Sequence, residues 1–75
     1  MSRRSDRDSL QDIRGAAERI ASYTTNMTYE TFLDDTKTQD AVIRNLEVIG
    51  EATKNLSDEV CTRYPDVPWK GMAGL

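Results

Sequence analysis

Four residues of the stretch "DAVIRNLEVIGEATKNLS", residues 40–57, are placed to act together: Asp40, Arg44, Glu47 and Glu51. Their spacings of three and four put them on one side of a helix, at about 100° per residue. Carboxylates can take a proton or hold a cation, and an Arg can sit against phosphate. Asp40–Arg44, Arg44–Glu47 and Glu51–Lys54 are spaced to pair. Glu47 and Glu51 repel by a few tenths of a kcal/mol unless a cation bridges them. Two readings stay open. One is a solvated strip of ion-paired side chains, each worth little. The other is a polar strip sunk in a groove between buried faces, where it would support the side chains of a neighbouring site.

What is missing narrows the chemistry. The chain has no histidine. The commonest general base and the commonest metal ligand are therefore absent from it, and Ser-His-Asp, Cys-His and His-containing zinc sites are excluded within these residues. Carboxylates on facing helices can hold a metal pair, but such sites use Glu-x-x-His. The lone cysteine, Cys61, can form neither an internal disulfide nor a thiolate zinc site, and reads as a small packing residue. The four glycines form no phosphate-binding loop. No catalytic residue, metal ligand or cofactor site is assigned within the chain.

The net charge of −3 gives no overall basic excess for gripping nucleic acid. The one basic cluster, Arg3, Arg4 and Arg7, is interrupted by Asp6 and Asp8, so residues 1–8 read as a flexible, solvated start. No apolar run follows it, as a signal peptide requires, and none reaches the length of a membrane span. With a single thiol, the expected location is a reducing cytoplasm.

The elements that must position the polar strip are helical. From about residue 9 to 26, Leu10, Ile13, Ala17, Ile20 and Thr24 recur at helical spacing. Gln11, Arg14, Glu18, Arg19 and Ser22 fall opposite. Asp6, Asp8 or Ser9 could cap this helix, and Thr24-Thr25-Asn26 would end it. Thr28 opens a short turn of helix whose Tyr29, Phe32 and Leu33 would plug the end of the first helix. The polar run 34–38 offers several N-caps for a second long helix, roughly 37–56. There Val42, Leu46, Ile49, Thr53 and Leu56 form a stripe, widened by Ile43 and Gly50 on one side and by Ala41, Val48 and Ala52 on the other. Such a helix is buried on two sides. Ser57 caps a short helix over 58–63, "YPDVPW" breaks it, and Pro68-Trp69 opens the beginning of a further long helix. No strand pattern appears, so the fold class is all-α. Short links make the two long helices antiparallel neighbours, with Leu10, Ile13, Ala17 and Ile20 facing Val42, Leu46, Ile49 and Leu56.

Gly50 costs about 1 kcal/mol against Ala inside a helix. Its position beside the stripe points to close approach of another backbone. Seventy-five residues also bury only a small core. Self-association is the expected support.

Taken in order, these residues resemble a family. "DAVIRNLEVIGEATKNLS" followed by "YPDVPWKGMAGL" is similar to the HepT-like group of HEPN-domain proteins, the toxin half of the HepT–MntA toxin–antitoxin pair of prokaryotes. Asp12-Ile13, Ile20 with Tyr23, and Phe32 with Asp35 agree in order. The most specific parts are Arg44-x-Leu46-Glu47-x-Ile49-Gly50-Glu51-Ala52 and Val67-Pro68-Trp69, and the resemblance runs from about residue 7 to 75.

The resemblance implies an up-and-down helical bundle that dimerises and cleaves RNA without a metal. In the family an R-x-x-x-x-H-x-Y motif does this, near the start of a long helix after the Pro-Trp. A nucleotidyltransferase of the MntA type silences the toxin by adding AMP to the motif's Tyr. Asp40, Arg44, Glu47 and Glu51 would then border the dimer's RNA cleft. The expected organisation is a helical domain over 9–75 that lacks its C-terminal helix, with the catalytic Arg and His beyond Leu75 and these residues inactive alone. Tyr64 lies outside the motif and cannot take the AMP-accepting role. Two functions follow: a ribonuclease toxin of which this is the N-terminal part, or a non-catalytic module for dimerisation or partner binding.

Overall fold

A computed structural model describes residues 4–75, so Arg3 lies outside the described residues. Five helices follow in order: α1 Asp6–Tyr23, α2 Tyr29–Leu33, α3 Thr36–Lys54, α4 Asp58–Arg63 and α5 Trp69–Ala73. No strand occurs among the described residues.

The helix starts follow from side chains that satisfy orphan amides. Ser5, not Asp6, Asp8 or Ser9, caps α1 by accepting from the Asp8 N–H at 3.1 Å. The helix therefore begins inside the segment read as a loose start, and Asp6 and Asp8 fill its first turn, where the helix dipole favours negative charge. Thr28 and Thr31 form a reciprocal capping box on α2. Asp35 caps α3 and Ser57 caps α4, accepting from Thr38 and Val60. Between α1 and α2 the chain turns through Asn26 in the left-handed region, φ 62°, a conformation that Asn tolerates better than most residues.

α1 and α3 are antiparallel. Asp6, at the start of α1, accepts from the Ser57 N–H at 2.9 Å and from its hydroxyl at 2.7 Å, just beyond the end of α3. Arg19, late in α1, bonds Asn45 midway along α3. Thr24 and Val42 then line one hollow with α2.

The contact face of α1 differs from the expected one. Ser9 and Ala16 are fully buried, whereas Ala17 is exposed and Leu10 is 40% exposed. Small residues at positions 9 and 16, two turns apart, let the helices approach most closely there. Leu10 and Ala17 are carried to the rim. Ala16, Ile49, Ala52 and Leu56 are the buried apolar residues among those described. Ile43, expected to widen the buried arc of α3, is 54% exposed. Of the three residues expected to plug the end of α1, Phe32 is half-buried, but Tyr29 and Leu33 face solvent. Trp69 donates its indole N–H to the Tyr64 carbonyl at 2.9 Å, closing the "YPDVPW" turn. α5 covers Trp69–Ala73, where Pro68-Trp69 was expected to open a helix. Gly74 follows as its cap and closes the last turn onto the Gly71 and Met72 carbonyls.

Candidate functional site

α3 sets the polar strip. Asp40, Arg44, Glu47 and Glu51 all lie on its solvent-exposed side. Of the three pairs the spacing allows, only Glu51–Lys54 forms among the described residues, at 3.4 Å. All four side chains are exposed among the described residues. The carboxylates do not gather with others into a metal-ligating cluster of three among the described residues.

Beside the strip, Gly50 is buried. A Cβ added there would lie 3.2 Å from the Leu75 carbonyl oxygen, 3.3 Å from its carbon and 3.5 Å from the Met72 carbonyl oxygen. The backbone that approaches Gly50 is thus the end of α5, brought there by the Pro68-Trp69 turn. This seats Leu75 one helical turn or less from Glu47 and Glu51 along α3.

Arg19 and Asn45, which helical spacing alone does not single out, form a polar contact between α1 and α3. Asn45 is buried and accepts from Arg19 Nε at 2.7 Å. Its amide nitrogen donates to the Ala41 carbonyl at 2.8 Å. The partners fix the amide's orientation, because Arg can only donate and a carbonyl can only accept. Arg19 had been placed on the polar side of α1. Its long stem instead reaches across to α3 while its charged end stays at the surface. The signal in the sequence was Asn45 itself, a polar residue in the middle of the arc made by Ala41, Ile49 and Ala52.

At the upper end, Asp35 accepts from the Thr38 N–H at 2.9 Å and the Thr38 hydroxyl at 2.7 Å. These bonds, the backbone one first, hold its carboxyl below the ordinary value of 3.8, and nearby Lys37 adds to the effect. Tyr23, Asp35, Lys37, Thr38 and Ala41 line an open hollow of about 490 Å³.

Comparison with known proteins agrees with this frame. Residues 13–75 match the family described as Ribonuclease HepT-like. The chain is 56% identical over 66 residues to the protein named "Putative RNase MJ0127" of Methanocaldococcus jannaschii, a match covering 88% of this chain and 54% of that protein. It is 48% identical over 73 residues to "Probable ribonuclease HepT" of Thermococcus cleftensis, covering 97% and 66%. A further M. jannaschii protein, "Putative RNase MJ1380", is 37% identical over 75 residues, covering 100% of this chain and 69% of its own length. The chain thus spans between about half and two thirds of these relatives. No solved structure matches it. With the all-helical frame, the Gly50 contact and a match over residues 13–75, the chain belongs to the HepT-like ribonuclease family.

Proposed function

We propose that this chain is the helical framework of a metal-independent ribonuclease of the HepT type, the toxin of a prokaryotic toxin–antitoxin pair. The observation that carries the reading is the family match over residues 13–75, which spans the α3 strip and the turn that delivers Leu75 to Gly50. Cleavage at a 2′-hydroxyl needs one group to take its proton, another to protonate the leaving oxygen, and positive charge beside the phosphate. Histidine suits the proton transfers because it titrates near neutrality, and these residues contain none. The 75 residues alone are therefore inactive, and an R-x-x-x-x-H-x-Y helix supplies the chemistry. Such a helix continuing from Leu75 would start against Gly50, beside Glu47 and Glu51, which with Asp40 and Arg44 would border the RNA cleft. The active form is a cytoplasmic homodimer. A nucleotidyltransferase of the MntA type neutralises it by adding AMP to the motif's Tyr.

The test is gain of function. The chain alone should cleave RNA no faster than buffer, and should accept no AMP from a nucleotidyltransferase. Extension with a helix bearing the motif should restore both, with cleavage surviving a chelator. Cleavage by the unextended chain that is lost in Arg44→Ala or Glu47→Ala would overturn the reading and put an active site on α3.

A second reading is a non-catalytic module for dimerisation or partner binding. It is favoured by the exposed apolar side chains Leu10 and Ile43. An extended chain that dimerises but leaves RNA intact would select it.

A further inference from the structure

The cations of this chain divide into two groups. Arg4, Arg14, Lys54 and Arg63 are each engaged in an ion pair with Asp12, Glu18, Glu51 and Glu59. Arg7, Arg19, Lys37, Arg44 and Lys70 are in none among the described residues, and of these Arg19, Lys37 and Arg44 border the side of the bundle where late α1 meets early α3. Lys37 and Tyr23 line the open hollow of about 490 Å³ with Ala41. The Ala41 carbonyl accepts from Asn45, and Asn45 accepts from Arg19. A chain of hydrogen bonds therefore ties the rim of the hollow to the Arg19 guanidinium. Arg44 lies two turns beyond Lys37 on the same side of α3, about 10 Å along the axis.

Two features of this face suit an anionic strand. The first is the pre-positioning of Arg19. Its Nε donates to the buried Asn45 amide oxygen at 2.7 Å, while the residue stays exposed and its terminal N–H groups have no hydrogen-bond or ion-pair partner among the described residues. Held this way, the guanidinium loses less freedom on meeting a phosphate. The second is Tyr23, 42% exposed, one turn after Arg19. An aromatic ring beside spaced cations is the pattern that binds single strands, with bases on rings and phosphates on cations. The start of α3 is not itself the anion site, because Asp35 already occupies the Thr38 amide. The acidic neighbours are Asp40 and Glu47 beside Arg44, Glu18 beside Arg19 and Asp35 beside Lys37; Glu18 accepts from Arg14, and both of Asp35's oxygens are engaged by Thr38.

We propose that Arg19 and Tyr23 of α1 with Lys37 and Arg44 of α3 form a track for single-stranded RNA, one base stacking on Tyr23 and neighbouring phosphates meeting the three cations. The proposal rests on the ribonuclease reading for its choice of nucleic acid. It names a substrate-holding surface on residues that do no proton transfer.

The test is binding, which does not require cleavage. Fluorescence anisotropy of the 75-residue chain with a labelled short oligouridylate is measured at several salt concentrations. Tyr23→Ala should weaken binding by about five-fold or more, as loss of one stacked base does, and Tyr23→Phe should retain it. Lys37→Ala and Arg44→Ala should each weaken binding and lower the salt slope by about 0.7 per phosphate contact removed. Arg14→Ala and Arg63→Ala, whose cations are ion-paired elsewhere, should bind as wild type. Lys37 and Tyr23 are surface residues, so circular dichroism should show these variants folded; Arg19→Gln is the additional variant for the anchored cation. The proposal is overturned if Tyr23→Ala and Lys37→Ala bind as wild type. It is equally overturned if duplex RNA binds as well as the single strand, if polyglutamate competes as well as oligouridylate, or if the chain binds no RNA. Cleavage by the extended chain with unaltered binding in the Tyr23 and Lys37 variants would sink the track and leave the ribonuclease reading standing. Loss of binding in those variants, with no cleavage by the extended chain, would do the reverse.

Discussion

Gly50 sets two residue-scale effects against each other. Replacing it with Ala gains about 1 kcal/mol of helix propensity. It also puts a methyl 3.2 Å from the Leu75 carbonyl oxygen, so that backbone must yield by a few tenths of an ångström. α5 is only five residues long and has no buried residue, so it can yield. Gly50→Ala should thus leave the Tm nearly unchanged. Gly50→Leu cannot be accommodated by so small a shift and should cost about 1–3 kcal/mol by overpacking. Thermal melts of the two variants check this; an unchanged Tm in Gly50→Leu would mean α5 is not held at Gly50. Asp35 gives a pH dependence. Its folded-state carboxyl is lowered from 3.8. A depressed pKa contributes stability above the unfolded value, and that contribution disappears as pH falls through the folded value. Asp35→Asn retains a good N-cap without the charge. Wild type should therefore melt higher than Asp35→Asn at neutral pH, with the gap closing on acidification below 3.8. A gap constant with pH would refute it.

At the scale of the element, polar contacts at either end help bind α1 to the rest. Asp6 clamps the Ser57 backbone and hydroxyl at one end, and Arg19 meets Asn45 toward the other. Hydrogen bonds to a charged acceptor are worth about 1.5–3 kcal/mol when shielded and less when partly exposed. Asp6→Ala should lower stability by about 1–2 kcal/mol and speed amide exchange at Ser57 and Val60, where α4 starts. Unchanged exchange there would show that α4 is held by other contacts. For the second contact, a double-mutant cycle between Arg19→Ala and Asn45→Ala should give a coupling of about 1 kcal/mol. Additive effects would mean that Arg19 is held elsewhere.

At the scale of the whole molecule, the bundle is open. The radius of gyration is 14.1 Å, against about 11 Å for a compact domain of this length. The buried apolar core among the described residues is Ala16 of α1, Ile49 and Ala52 of α3, and Leu56 just after α3, while Leu10 and Ile43 stay exposed. Uncovered apolar surface of this kind favours association. Light scattering at tens of micromolar should show a dimer or larger species, and Ile43→Asp should weaken it. A clean monomer with full helicity would rule this out.

Amino-acid types and their periodicity decided much on their own. Breakers and apolar spacing act locally, so the five helices and the roles of Ser57 and Pro68 were legible from the chain, whereas the Ser5 cap and the left-handed turn at Asn26 were not. The residue runs around Gly50 and Trp69 carried the family for the same reason: a motif is a local pattern. Only the tertiary structure decided which side of α1 is buried. Leu10 is more apolar than Ser9, and Ala16 and Ala17 are alike in type, yet Ser9 and Ala16 are the buried pair because inter-helix distance favours small residues there, and distance is not a property of one helix. Asn45 and Arg19 were hidden likewise, because a polar residue in an apolar arc has meaning only once its partner on another helix is known. The exposure of Asp40, Arg44, Glu47 and Glu51 also depends on what lies over α3, and residues spaced along one helix say nothing about a neighbour's coverage.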